Sequence, residues 1–270
     1  MPKVKGTLSP IERFHLNFVR ESLKRRWMDR TFTLLQQHVG ARWIDWCTYN
    51  LRTVYGLDHI TPFRYRSIVL VANHRSFFDM FVINAVLYRE GGFRQRFLFP
   101  VRSNFFYDNP AGIVVNGIMS FFSMYPPVFR DRARASLNHQ SFQELSASMK
   151  AGLRSAGVHP EGTRNRFEDP YTFLPAQSGV GRLIHVSGAP VLPVFINGLQ
   201  NDLLSQVRSN FTRGGEPIHV LFGPPVELED LLAKKGNGRI YKAVADRVMD
   251  DIAALGQQER MLRARVPPNE

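Results

Sequence analysis

The chain has 270 residues, 44% of them hydrophobic, a size and composition that suit one α/β domain with an appendage. Its 35 Lys and Arg against 23 Asp and Glu leave a net charge of +12, which favours anionic partners such as nucleic acid, phospholipid headgroups or phosphorylated substrates. The single cysteine, Cys47, excludes an internal disulfide and fits a reducing compartment, so a cytoplasmic protein is expected.

The first residues carry lysines but no continuous apolar stretch before Glu12 and Arg13, so they are not read as a secretory signal. Residues 10 to 56 have helical spacing, with Phe14, Phe18, Leu23 and Trp27 in one segment and Phe32, Leu35, Val39, Trp43, Trp46 and Leu51 in the next. Two amphipathic helices are predicted there, and residues 1–60 are assigned to a helical, membrane-docking appendage. A polar break at 58–65 precedes the apolar, β-branched run Ser67-Ile-Val-Leu-Val-Ala-Asn73, a buried strand, followed by a helix from about Ser76. Residues 109–129 carry no charge but are interrupted by Pro110, Asn116, Pro126 and Pro127, which predicts a buried or membrane-dipping segment rather than a spanning helix. A helix over 135–150, strands over 189–197 and 217–222, and a terminal helix over 241–262 complete the pattern. Strands alternating with helices make residues 61–270 an α/β domain with a mostly parallel or mixed central sheet, whose functional residues collect in loops at strand ends.

The segment Val71-Ala-Asn-His74-Arg-Ser-Phe-Phe-Asp79 places a histidine and an aspartate five residues apart where a strand gives way to a helix. Within one helix that spacing separates the side chains by about 140°, so the two meet only if His74 lies in the loop and Asp79 in the first turn. Asp79 then fixes the tautomer of His74, and the other ring nitrogen is free to remove a proton from an attacking hydroxyl. A second reading stands beside this one: Ser76-x-x-Asp79 also matches a helix cap, with no catalytic role. Further along, His159-Pro-Glu161-Gly162-Thr163-Arg164-Asn165 combines a flexible glycine, a hydroxyl, a carboxylate and a guanidinium, the makings of a phosphate-binding turn.

Asn73-His74 with Asp79, then Pro160-Glu161-Gly162-Thr163-Arg164, then Val191-Leu192-Pro193-Val194 resemble three ordered motifs of the glycerolipid acyltransferase family, over roughly residues 60 to 225. The resemblance implies that His74 is the general base and Asp79 its partner. It implies further that Glu161, Gly162, Thr163 and Arg164 bind the acceptor's phosphate region, and that Pro193 lies beside the acyl site. A further arginine of the pattern falls at Arg130 or Arg132, with Arg130 the first choice. Two departures stand out: His159 occupies a position that is commonly aromatic in the family, and Arg154-Ser-Ala-Gly is polar for a core strand.

The implied reaction is transfer of a fatty acyl group from acyl-CoA or acyl-carrier protein to a hydroxyl of a glycerol-phosphate lipid precursor, 1-acylglycerol-3-phosphate first, glycerol 3-phosphate or another lipid alcohol as alternatives. No Gly-x-Ser-x-Gly elbow is present, so direct attack on the thioester is expected, without cofactor or metal. A non-catalytic lipid-binding scaffold is the remote alternative. Nucleic acid is not an expected partner, since neither stacking motifs nor zinc-finger spacing accompany the basic charge. The expected location is the inner face of the cell membrane, held peripherally on anionic lipid.

Overall fold

The computed structural model describes residues 8–103, 107 and 110–265. The chain opens on helices α1 (Pro10–Lys24), α2 (Arg26–Leu35) and α3 (Ala41–Thr48), with a π-helical turn, Gln36–Gly40, joining the last two. The strands are β1 (Arg52–Tyr55), β2 (Val69–Ala72), β3 (Arg96–Arg102), β4 (Met124–Val128), β5 (Arg154–Val158), β6 (Val191–Asn197) and β7 (Ile218–Phe222). Between and after them come α4 (Asp79–Arg89), α5 (Pro110–Ser120), α6 (Ala135–Lys150), α7 (Ser178–Ser187), α8 (Leu203–Thr212), α9 (Glu229–Leu232) and α10 (Gly238–Arg263). The strands form one seven-stranded sheet in the order β1-β7-β6-β2-β5-β3-β4, parallel except between β6 and β7. This is the α/β class and mixed, mostly parallel sheet that the alternating pattern predicts.

Strand β2 sits at the centre and is apolar on both faces because helices cover both. Val69 and Val71 pack in one cluster with residues of α1, α6, α7 and α10, while Leu70 and Ala72 pack in the other with α3 and α4, as the two-residue period of a strand requires. Helix α4 is buried nearly all round, from Asp79 to Tyr88.

The N-terminal part differs from the sequence expectation. Three helices and a strand occupy residues 10–55 where two helices were predicted, and β1 pairs with β7 from Arg52↔Ile218 to Tyr55↔Leu221. Leu16 and Val19 of α1 are buried in the same cluster as β2, and Ala41 and Ile44 of α3 in the cluster on the other face. The N-terminal helices therefore pack on both faces of the same sheet as the residues after position 60. The uncharged 109–129 segment resolves into α5, which exposes Val114 and Ile118, and the buried edge strand β4; residue 109 lies outside the described residues. Among the described residues no helix is long and apolar enough to cross a membrane.

The polarity of β5 has a structural cause. Arg154 donates to the Leu23 carbonyl and lies 3.2 Å from Asp29 of α2, and Ser155 Oγ accepts the Ile68 N–H at 3.0 Å. Gly157 is required by close approach: a Cβ there would stand 2.3 Å from Met80 Sδ and 2.7 Å from Phe97. The strand is buried along its whole length because the Arg154 guanidinium and the Ser155 hydroxyl are engaged in this way and the glycine makes room for α4.

Candidate active site

The parallel strands β2, β5 and β6 lie side by side, so the loops that follow them leave the sheet at one edge. The exit of β2 is fixed by Asn73, 1% exposed, whose side-chain amide bonds both backbone groups of Ile196 on β6, each at 2.8 Å. His74 comes next, in the loop, and α4 starts at Asp79. His74 Nδ1 lies 3.1 Å from Asp79 Oδ2, and the same oxygen accepts the backbone N–H groups of Arg75 at 2.7 Å and Ser76 at 2.8 Å. Asp79 thus ties the loop and orients the ring at once.

The loop after β5 forms the other wall. A turn over His159-Pro160-Glu161-Gly162 is closed by the Gly162 N–H on the His159 carbonyl at 3.0 Å, with proline at the position where its fixed φ is favourable. Gly162 has φ +66°, and a Cβ there would stand 3.0 Å from Gln177 Cγ. Glu161 is 2% exposed, and its two oxygens accept the backbone N–H groups of His74 and Leu174, each at 2.9 Å. The Asn165 N–H donates to the His74 carbonyl at 2.7 Å. The sequence expectation put Glu161 on the acceptor; in the structure its carboxylate is engaged by backbone and positions the His74 loop. The His159 ring stacks on the His74 ring, centroids 3.9 Å apart and planes 7° from parallel, and its Nδ1 lies 3.0 Å from the Ala72 carbonyl.

Burial, with Arg164 and Arg102 adding to it, pushes the His74 imidazole down to about 3, so the ring is unprotonated at neutral pH and has a lone pair to accept a proton. Burial raises the Asp79 carboxyl to about 6, against the lowering effects of His159 and the two loop amides. At neutral pH the pair is a neutral imidazole facing a carboxylate, with one ring nitrogen oriented and the other available, which is an arrangement for proton abstraction.

Arg164 donates to Asn201 Oδ1 at 2.9 Å, on the loop after β6. Arg102, at the end of β3, donates to Thr163 Oγ1 at 2.5 Å and feels burial first, then the charges of Arg130 and Arg164, which together lower its pKa. Among the described residues none of these three arginines forms an ion pair, and the charges of Arg102 and Arg164 act on the His74 ring. Arg130 is exposed and follows β4, while the side chain of Arg132 lies outside what is described. Pro193 is not brought to the His74 loop: it is buried within β6 opposite Val71, where the lack of a side chain at Gly223 makes room for its ring.

Sequence reasoning missed Arg102. Its only signal is an arginine ending an apolar run, Phe97-Leu-Phe-Pro-Val-Arg102, which was not recognised as a strand. His74, Asp79 and His159 also present donor atoms within 4.8 Å of one another. Asp79 Oδ2 already takes three hydrogen bonds and His159 Nδ1 one, so the hydrogen bonds favour a proton-transfer group over a metal ligand set.

Comparison with known proteins bears on this geometry. A search of curated protein sequences finds no match. The crystal structure of the 1-acyl-sn-glycerophosphate acyltransferase PlsC from Thermotoga maritima is similar in fold, with a TM-score of 0.54 at 21% identity, covering 90% of this chain and 89% of that one. A family model described as Acyltransferase matches residues 51–197, more than half of the chain and the whole span from β1 through the His74 loop, the Glu161 turn and β6. The chain belongs to the acyltransferase family.

Proposed function

We propose that the protein is a glycerolipid O-acyltransferase that moves a fatty acyl group from a thioester, acyl-CoA or acyl-carrier protein, to a hydroxyl of a phosphate-bearing glycerol acceptor, 1-acylglycerol-3-phosphate first among them. The observation that carries the reading is the pairing of a neutral His74, oriented by Asp79, with Arg102 and Arg164, whose charges reach that same ring. A neutral acceptor leaves these guanidinium groups unpaired at the site; a phosphate satisfies them with charge-assisted bonds. His74 Nε2 takes the proton of the attacking hydroxyl as its oxygen bonds the thioester carbonyl. The C–S bond then breaks, and the imidazolium returns the proton to the leaving sulfur. General-base assistance of this kind supplies about 10²- to 10⁴-fold, with alignment of the two substrates supplying much of the rest. Peripheral attachment to the inner face of the cell membrane, through the N-terminal helices, belongs to the same proposal, since the acylated product is a membrane lipid.

Steady-state kinetics on Arg164→Ala, with acceptor and donor varied separately, test the acceptor assignment. The expected result is a fall in kcat/KM for the acceptor of about 1.5 to 3 kcal/mol of transition-state binding, with the donor KM changed much less. Arg164→Lys recovers part of it, because a point charge does not reproduce the guanidinium fork. Unaltered acceptor kinetics in a folded Arg164→Ala variant contradict the assignment.

A further inference from the structure

His159 is the one imidazole in direct face-to-face contact with His74, and nothing in the proton transfer just described employs it. Four observations fix what it can do. Its ring lies parallel to that of His74 at a centroid distance of 3.9 Å, closer than the usual range for aromatic pairs. Its Nδ1 lies 3.0 Å from the Ala72 carbonyl, and a carbonyl only accepts, so Nδ1 carries the proton and the ring is held in one tautomer and one orientation. The backbone beneath it is held as well, by the turn that ends in Gly162 and by the Glu161 carboxylate on the His74 amide. Burial, reinforced by the neighbouring His74, pushes its own basicity down, so it stays uncharged where the enzyme works.

A neutral aromatic plate of this kind acts on the reacting ring in two ways. It removes the freedom of His74 to rotate about its side-chain bonds, leaving Asp79 to set one edge and His159 one face. It also offers a π face to the imidazolium that forms when His74 takes the acceptor's proton, an attraction present in the transition state and absent while His74 is neutral.

We propose that His159 is a positioning residue for the acyl transfer: its imidazole, locked to the Ala72 carbonyl, is the platform that holds the His74 ring in plane with Asp79 and supports its transient imidazolium. The inference rests on His74 being the base. Three variants separate the two ideas, each measured for kcat and for both KM values. His159→Ala removes the platform and is expected to lower kcat about tenfold while leaving both KM values within about twofold, since an interaction made only in the transition state affects kcat and kcat/KM alike. His159→Phe keeps a flat ring but loses the Ala72 contact, and is expected to restore kcat to within about threefold of the parent. His74→Ala is expected to be inactive. If His159→Ala turns over at the parent rate while His74→Ala is dead, the platform is wrong and the base assignment survives; if His74→Ala is active, the base assignment fails first. Equal impairment of the Ala and Phe variants also overturns the platform, because it assigns the loss to the Ala72 hydrogen bond. Should His159→Ala not fold, His159→Phe decides alone: a kcat more than tenfold below the parent refutes a role that needs only a flat ring.

Discussion

The Asp79 carboxylate is 1% exposed, and one of its oxygens takes two loop amides and the His74 ring. Helix α4 begins at Asp79 itself, with Phe78 as N-cap and no side-chain cap, so the same oxygen that faces His74 ties the loop ahead of the helix. Burial raises its pKa to about 6, above the ordinary aspartate value, so ionisation of Asp79 opposes folding; that cost is absent below the ordinary value and fully present above about pH 6. Asp79→Asn keeps an acceptor for the amides and removes the charge. The expected result is a variant at least as stable as the parent at pH 7 by thermal melting, yet with acyl transfer nearly abolished, whereas a mere cap loses about 1 kcal/mol of stability and little activity. Because His74 is pushed down to about 3, acid inactivation follows protonation of Asp79, and kcat/KM should fall as the pH drops below about 6; an acid limb displaced to pH 7 or above contradicts this. Glu161 is the other buried carboxylate of the site, with one oxygen for each of two amides. Glu161→Gln turns an NH₂ towards one of those N–H groups, so denaturant unfolding should report a loss of about 1 to 3 kcal/mol along with a lower kcat. The His74–Asp79 pairing was legible because five residues across a strand-to-helix junction admit few geometries. The role of Glu161 was not, since its partner amide on His74 lies 87 residues away and no local pattern encodes it.

Among the elements, the central strands and long helices were readable and the margins of the sheet were not. Strands β2, β6 and β7 are apolar runs buried on both faces, and α6 matches its predicted span of 135–150. Strand β1 is a four-residue edge with one arginine, and β4, Met-Tyr-Pro-Pro-Val, carries two prolines that only an edge position tolerates. Strand β3 escaped notice because Arg96 opens it; that guanidinium is 1% exposed, paired with Asp29 at 3.0 Å and with backbone of α1. The N-terminal helices combine core-facing and exposed apolar residues. Leu16 and Val19 face the core, while Phe14, Trp27 and Trp46 are exposed and α2 buries no residue. Lys24 and Arg25 are exposed close to Trp27 in the chain, and each pairs with the half-exposed carboxylate of Glu21. At about 1 kcal/mol per basic residue near an anionic surface, replacing Lys24, Arg25 and Arg26 by Gln should weaken binding to anionic vesicles roughly a hundredfold. Co-sedimentation measures it, and unchanged binding removes the docking role from this cluster.

At the scale of the whole molecule, the strand order brings together residues far apart in sequence. The loops after β2, β5 and β6, and the end of β3, meet at one edge of the sheet, which is how His74, Glu161, Asn201 and Arg102 become neighbours. Helices on both faces bury the strands beneath them, so the His74 loop stands on a rigid base, tied to β6 through Asn73 and to the β5 loop through Glu161 and Asn165. A site held in this way suits a reaction that depends on aligning two bound substrates. In the proposed reaction this edge acylates a phosphate-bearing glycerol with His74 as base. Mass spectrometry of products tests it most directly, with parent and His74→Ala proteins offered 1-acylglycerol-3-phosphate, glycerol 3-phosphate and a phosphate-free monoacylglycerol, each with acyl-CoA and with acyl-carrier protein. The expected products are an acylated phosphoglycerol from the parent, little or none from the neutral acceptor, and none from His74→Ala while that variant remains folded. Preferential acylation of the neutral acceptor, or turnover by His74→Ala near the parent rate, contradicts it.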